Sequence, residues 1–222
     1  MLIAIEGIDG SGKGTQTKLL CERLAADGIS VARLAFPRYE ATGFGKRVAE
    51  FLNGSYGALD VVDPFLVAGL YAGDRFESRD LIATMMAENQ IVLCDRYVSS
   101  NLAYQLAKVD PARRATLKGW IEQLEYEIYS LPKADLTIYL ELDAETSQAL
   151  VLKKDVREYT AHSLDLHEAA QGYLGHVRLE YLRLASEESG WTVVTCSEGT
   201  RLRTIEEIGE EVYRVVMGAL RG

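Results

Sequence analysis

The chain has 222 residues, 48% of them hydrophobic, and a formal net charge of −9. That size and composition suit a single α/β domain, 1–222, with a substantial core. No apolar run reaches the ~20 residues of a membrane span, and the acidic balance lacks the broad basic face of a nucleic-acid binder, so neither a membrane nor a nucleic acid is an expected partner.

The expected elements follow in chain order. Residues 2–6 read as a buried strand. No basic segment precedes it, so a secretory signal is not expected and the cytoplasm is the expected compartment. A glycine-rich loop leads into a helix at 13–27, stopped by Gly28. A second strand spans 29–36, and a helix at 43–53 closes on Asn53-Gly54. Asp63-Pro64 supplies a cap and a first-turn proline for a helix running to about 88. The third strand is 91–94, with Asp95 at its carboxyl end. Helices are predicted at 99–107 and 111–130, a fourth strand at 136–142, and a helix at 144–152 capped by Asp143. A basic stretch, 153–163, leads to a long helix at 165–188. A fifth strand, 191–196, and an amphipathic helix, 203–220, complete the chain. Strands alternating with helices predict a five-stranded parallel sheet covered on both faces. Cys21, Cys94, Cys196 and the three histidines lack disulfide or zinc spacing.

The strongest chemical signal is Gly7-Ile8-Asp9-Gly10-Ser11-Gly12-Lys13-Gly14-Thr15. It follows a strand and opens a helix, the context in which a Walker A loop grips nucleotide phosphates. Glycines let backbone N–H groups converge on phosphate oxygens. The helix N-terminus faces the same point, and Lys13 follows charge toward the terminal phosphates. Gly14 replaces the usual hydroxyl residue, so Thr15 becomes the candidate to help hold magnesium. No NKxD-like motif marks a GTPase. Asp95 is placed to serve as the acid of the third strand, but Arg96 follows it where a hydrolase would carry a carboxylate. An arginine beside the phosphates suits transfer between two anions, which must exclude water.

With Phe36-Pro37-Arg38-Tyr39, Asp95-Arg96-Tyr97 and Ser100-Asn101-Leu102-Ala103-Tyr104 added to the loop, the chain resembles the thymidylate kinases, the actinobacterial branch especially, over nearly its whole length. The resemblance implies a P-loop fold of the nucleoside monophosphate kinase type. It implies ATP as donor, dTMP as acceptor, Mg2+ and a homodimer. It places Phe36, Arg38 and Tyr39 beside the acceptor nucleotide, and Tyr71 stacked on the base where phenylalanine is usual. It assigns Arg75 to the monophosphate, Asn101 to the pyrimidine edge, and Tyr104 to the sugar, where it disfavours a 2′-hydroxyl. Asp9 is implied near the acceptor sugar and the metal, with Asp95 close to that metal through water and Arg96 bridging the two phosphates. Stretch 153–163 becomes a lid in which Lys153, Lys154 and Arg157 cover the donor phosphates. Because the phosphate loop has no arginine, Arg157 is the expected catalytic cation. Asp165 and Glu168 are implied at the acceptor sugar and metal. A kinase for another nucleoside monophosphate or a deoxynucleoside is the nearest alternative. A noncatalytic nucleotide-binding protein on the same scaffold is a second one.

Overall fold

The computed structural model describes residues 1–57, 61–152, 172–199 and 201–221. Its centre is a parallel sheet of five strands: β1 (Leu2–Glu6), β2 (Val31–Ala35), β3 (Ile91–Asp95), β4 (Leu136–Glu141) and β5 (Trp191–Thr195). The order is β2-β3-β1-β4-β5. The helices are α1 (Lys13–Ala26), α2 (Gly43–Leu52), α3 (Pro64–Glu77), α4 (Arg79–Glu88), α5 (Val98–Leu106), α6 (Pro111–Glu122), α7 (Ala144–Leu152), α8 (Tyr173–Glu187) and α9 (Ile205–Ala219).

The two-residue period of the strands divides the core. Leu2, Ala4, Val92 and Cys94 pack on one side against Ala68, Leu102, Leu106, Val177 and Leu184. Ile3, Ile5, Leu93 and Ile138 pack on the other against Leu20 and Leu24 of α1 and Ile208, Val212 and Val216 of α9. Both layers are apolar, so the strands read as continuous hydrophobic runs. In register, Ile5 lies opposite Asp95 on one side and Ile138 on the other. The loop after β1 and the turn after β3 therefore emerge side by side at the carboxyl edge, where open α/β sheets bind ligands.

The structure departs from the sequence reading at three local places. The helix expected at 64–88 breaks at Ser78, whose hydroxyl donates back to the Asp74 carbonyl at 2.8 Å and offers the chain a competing local bond. The helix expected at 111–130 passes at Gln123 into a π-helical segment, Gln123–Ile128. After β5, a two-stranded ribbon, β6 (Ser197–Glu198) with β7 (Arg201–Leu202), occupies what read as featureless chain. The basic stretch 153–163 and the first part of the helix expected at 165–188 lie outside the described residues.

Candidate active site

At the carboxyl edge of the sheet, a cavity of about 310 Å³ opens between the glycine loop, the turn after β2, α3 and α5. Asp9, Gly10, Gly12, Lys13, Gly14, Phe36, Tyr39, Tyr71, Arg75, Asp95, Arg96, Asn101 and Tyr104 all line it. Positions far apart in the chain thus converge, because each stands at the end of a strand or on a helix packed over that end.

The glycine loop supplies one wall. Gly10 has φ +85, and a Cβ there would stand 2.6 Å from the Ser147 carbonyl oxygen of α7. Ser147 in turn donates its hydroxyl to the Asp9 carbonyl. The loop is thus clamped to α7, which leaves no space for a side chain at position 10. Lys13 is nearly buried, and its ammonium donates to the Ile8 carbonyl at 2.9 Å. Burial, with the nearby Arg96 charge, lowers its pKa to about 8. The buried Ser11 hydroxyl has no partner among the described residues. Gly14 faces the acid of β3: a Cβ there would lie 3.1 Å from Asp95 Oδ2. Thr15 is exposed and absent from the wall. The metal role expected for Thr15 has no geometric support, and Asp95 with Asp9 are the acids the cavity retains.

Arg96 sits where the two halves meet. Its backbone has φ +66, a left-handed conformation that costs a non-glycine residue ~1–2 kcal/mol. The strain turns the chain sharply from β3 into α5. The guanidinium pairs with Asp9, and donates to Ser100 Oγ at 3.2 Å, Gly7 O at 3.3 Å and Tyr104 OH at 3.3 Å. Tyr104 OH also donates to Asp9 Oδ2 at 3.1 Å. Beneath it lies Glu6, fully buried. Its carboxylate accepts from Tyr97 N at 2.8 Å, Ser100 N at 3.2 Å, Tyr181 OH at 2.9 Å and the Ser100 hydroxyl. Burial raises the Glu6 pKa, while these bonds and the Arg96 charge pull it back. Glu6 caps the N-terminus of α5 from the residue preceding the loop, so it ties the phosphate wall to the helix that carries Asn101 and Tyr104.

The opposite wall is built on α3 and α5. Arg75 is 2% exposed and makes a two-armed pair with the fully buried Glu125: Nε donates to Oε2 at 2.8 Å, and Nη2 to Oε1. Burial opposes the Arg75 charge, but the Glu125 carboxylate outweighs it and keeps the guanidinium protonated. Asn101 Nδ2 donates to Glu125 Oε1 at 3.0 Å and to Ala68 O at 3.1 Å. This arrangement changes the expectation for Arg75. Its charge is already neutralised, so it is a fixed hydrogen-bond donor and not a free clamp for a phosphate dianion. Arg38 also departs from expectation: its guanidinium donates to Ser78 Oγ at 3.0 Å, and it is not in the cavity wall. Its backbone N–H and the Thr42 hydroxyl hold the buried Asp74, which fixes the loop that presents Phe36 and Tyr39.

Glu125, Gln105 and Glu6 were missed by sequence reasoning. Gln105 is completely buried in the wall, and neither end of its amide has a partner. Its spacing of four from Asn101 was the available signal. Lys153, Lys154, Arg157, Asp165 and Glu168 lie outside the described residues. Among the described residues no cluster of three metal-ligating side chains exists, and no helix is long and apolar enough to cross a membrane.

A sequence model of the thymidylate kinase family matches residues 5–206. The chain belongs to the thymidylate kinase family. A thymidylate kinase of Mycobacterium tuberculosis is 38% identical over 145 residues, covering 65% of this chain and 67% of the relative. A probable thymidylate kinase of Methanocaldococcus jannaschii is 34% identical over 215 residues, covering 96% of this chain and 93% of the relative. The solved structure of thymidylate kinase from Candida albicans superposes with a TM-score of 0.71 at 25% identity, covering 98% of this chain and 91% of that one. Thymidylate kinase membership accounts for a cavity with a phosphate-gripping wall on one side and a polar, charge-balanced wall on the other.

Proposed function

We propose that the chain transfers the γ-phosphoryl group of ATP to dTMP, giving dTDP and ADP, as a step of dTTP synthesis in the cytoplasm. One observation carries the reading: within a single cavity Arg96 stands between the glycine loop and an opposite wall whose charged pair, Arg75 with Glu125, is balanced. A dTMP phosphate oxygen attacks the γ-phosphorus in line, and ADP leaves. The transition state is loose, so the protein's work is positioning and charge stabilisation. Lys13 follows the transferring group. Arg96 touches both phosphates, its partners Asp9, Ser100 and Tyr104 keeping it aimed. Arg157, with Lys153 and Lys154, closes over the donor and excludes water. Tyr71 and Phe36 flank the base, and Tyr104 faces the sugar.

The Asp95 carboxylate makes no hydrogen bond with any described residue, and it borders the loop beside Gly14. A hard oxygen donor in that place fits a hydrated Mg2+. Bound there, the ion would neutralise charge on the donor phosphates, with Asp9 and Glu168 as further oxygen donors. Asp165 would hold the acceptor sugar. A homodimer is part of the proposal: Leu66 and Phe76 of α3 and Ile128 are exposed apolar side chains, enough to seed an interface between copies.

A coupled assay of ADP formation with ATP, Mg2+ and a panel of dTMP, dUMP, UMP, dCMP and AMP tests the reading. The highest kcat/KM is expected with dTMP. Turnover with AMP alone, or none with any acceptor, would overturn it.

A further inference from the structure

The polar wall of the acceptor pocket has a fixed hydrogen-bond polarity, and one residue outside the cavity lining sets it. Glu125 reaches inward from the π-helical turn Gln123–Ile128 and is fully buried. A carboxylate facing two N–H donors accepts and does not donate. Its Oε1 is shared by Arg75 Nη2 and Asn101 Nδ2. The second neighbour of Asn101 Nδ2, the Ala68 carbonyl, is also an acceptor. The orientation of the Asn101 amide is therefore forced: its NH2 must face Glu125 and Ala68. Its Oδ1 is left without a partner in a residue that is 2% exposed and lines the cavity. On the Arg75 side, Nε and Nη2 are consumed by Glu125, and Nη1 makes no bond with any described residue. The wall therefore offers one donor, Arg75 Nη1, and one acceptor, Asn101 Oδ1, both locked through the same carboxylate. Gln105 provides a contrast. Nothing bonds to either end of its amide, so it can turn to either polarity and discriminates nothing by itself.

We infer that Glu125 is the residue that makes the pocket select an imide edge over an amidine edge, acting through Asn101 and Arg75. This rests on the reading of dTMP as acceptor. A thymine or uracil ring presents a carbonyl at C4 and an N–H at N3, which match Arg75 Nη1 and Asn101 Oδ1. A cytosine ring presents an amino group at C4 and a bare nitrogen at N3. It would set donor against donor and acceptor against acceptor at two side chains that are each 2% exposed, where unpaired polar groups are costly. Glu125 is a positioning residue, since it touches no reacting atom. Its neutralisation of Arg75 also keeps the base end free of net charge, so the acceptor phosphate has no competing anchor there.

The test is the acceptor preference of two variants, measured as kcat/KM for dTMP, dUMP and dCMP with each protein's fold checked by circular dichroism. Glu125→Gln is nearly isosteric but carries its own NH2, which can face Asn101 and let that amide turn over. The dTMP-to-dCMP ratio is expected to fall roughly 100-fold, mainly through the acceptor KM, with the dTMP-to-dUMP ratio and the ATP KM unchanged. Glu125→Asp is shorter but remains an acceptor only. It is expected to lose overall acceptor affinity yet keep the dTMP-to-dCMP ratio within about 3-fold. A role confined to packing predicts the reverse order, with the shorter side chain the more damaging to selectivity. An unchanged ratio in Glu125→Gln, or an equal collapse in Glu125→Asp, overturns the inference. Should Glu125→Gln fail to fold, Asn101→Ala decides. It must lower kcat/KM for dTMP at least ~10-fold without lowering that for dCMP, and an equal loss on both overturns the inference. The acceptor reading fails separately, and visibly, if the unmodified protein does not prefer dTMP to dCMP.

Discussion

Lys108 follows the helix that carries Asn101 and Tyr104, and its replacement by methionine gives a sharp test of how that helix is held. The ammonium nitrogen is shut off from solvent and has no hydrogen-bond partner among the described residues. Its near neighbours are rings: Phe51 at 5.3 Å and Tyr173 at 5.9 Å from centroid to Nζ. Burial lowers its pKa from 10.5 to about 7. That gap corresponds to about 5 kcal/mol against the protonated form in the folded state. Near pH 7 about half of the folded molecules escape it by releasing the proton, which leaves a cost of roughly 4 kcal/mol. The two rings are already part of the environment, and a methionine forfeits their attraction for a cation, ~1 kcal/mol. Methionine fills a similar volume with little strain. Lys108→Met is therefore expected to gain about 2–3 kcal/mol at pH 7. The pH dependence follows from the sign. Between pH 7 and pH 10 the unfolded chain binds more protons at Lys108 than the folded one, so wild-type stability rises with pH. This group alone adds about 2 kcal/mol between pH 7 and pH 9. The variant loses that slope, so its advantage shrinks to almost nothing by pH 9. Urea denaturation at both pH values, with the m-value monitored, measures it. A variant less stable than wild type at pH 7, or a difference that does not shrink with rising pH, would refute the reasoning.

Arg157→Ala should lower kcat by roughly 100-fold or more while the dTMP KM moves less than about 3-fold; an unchanged kcat would remove Arg157 from the chemistry. Tyr104→Phe deletes the hydroxyl that bonds Asp9 at 3.1 Å, and it should raise the relative kcat/KM for UMP over dTMP by about 10-fold, read from competing acceptors. An unaltered ratio would show that the phenol does not guard the 2′-position. Gly10→Ala places a Cβ against the Ser147 carbonyl oxygen at a positive φ, and should cost about 2–3 kcal/mol in stability and raise the ATP KM; thermal melts and initial rates check both. A stability equal to wild type would mean that α7 gives way easily, and that the clamp between Ser147 and the loop is weak.

The donor half of the site was legible because its chemistry lies in consecutive residues. Gly7 to Gly12 form one loop and Lys13 opens the helix after it, and the flanking apolar strand and helix are both readable by period. The five strands were placed correctly for the same reason, since each is an apolar run bounded by turn residues. Asp95-Arg96 was also visible, because a charged pair closing a buried strand must stand at the carboxyl edge. The acceptor half was legible only in part. Asn101 and Tyr104 share a helix face at a spacing of three, so their convergence followed from geometry. The meaning of Arg75 did not, because an arginine takes its role from what faces it.

What faces Arg75 is Glu125, fifty positions later in the chain. Its stretch, Gln123-Leu124-Glu125-Tyr126-Glu127-Ile128, carries two acids that look alike in sequence. A regular helix continued from Trp120 would turn 100° per residue, and the π-helical widening at Gln123 shifts that phase. Glu125, four residues after the buried Ile121, stays on the core face, while the shift turns Ile128, an apolar residue that a regular helix would keep on that face, out to solvent. An element that buries an acid and exposes an isoleucine violates the binary pattern on which sequence reading depends. Such violations persist where a site needs them. Here the buried acid cancels the arginine's charge, fixes an asparagine amide and leaves one donor beside one acceptor. An acid on an otherwise apolar face is what hid the partner of Arg75 from the sequence, and removing that acid would leave Arg75 as an unpaired buried cation, at a cost of ~3–5 kcal/mol.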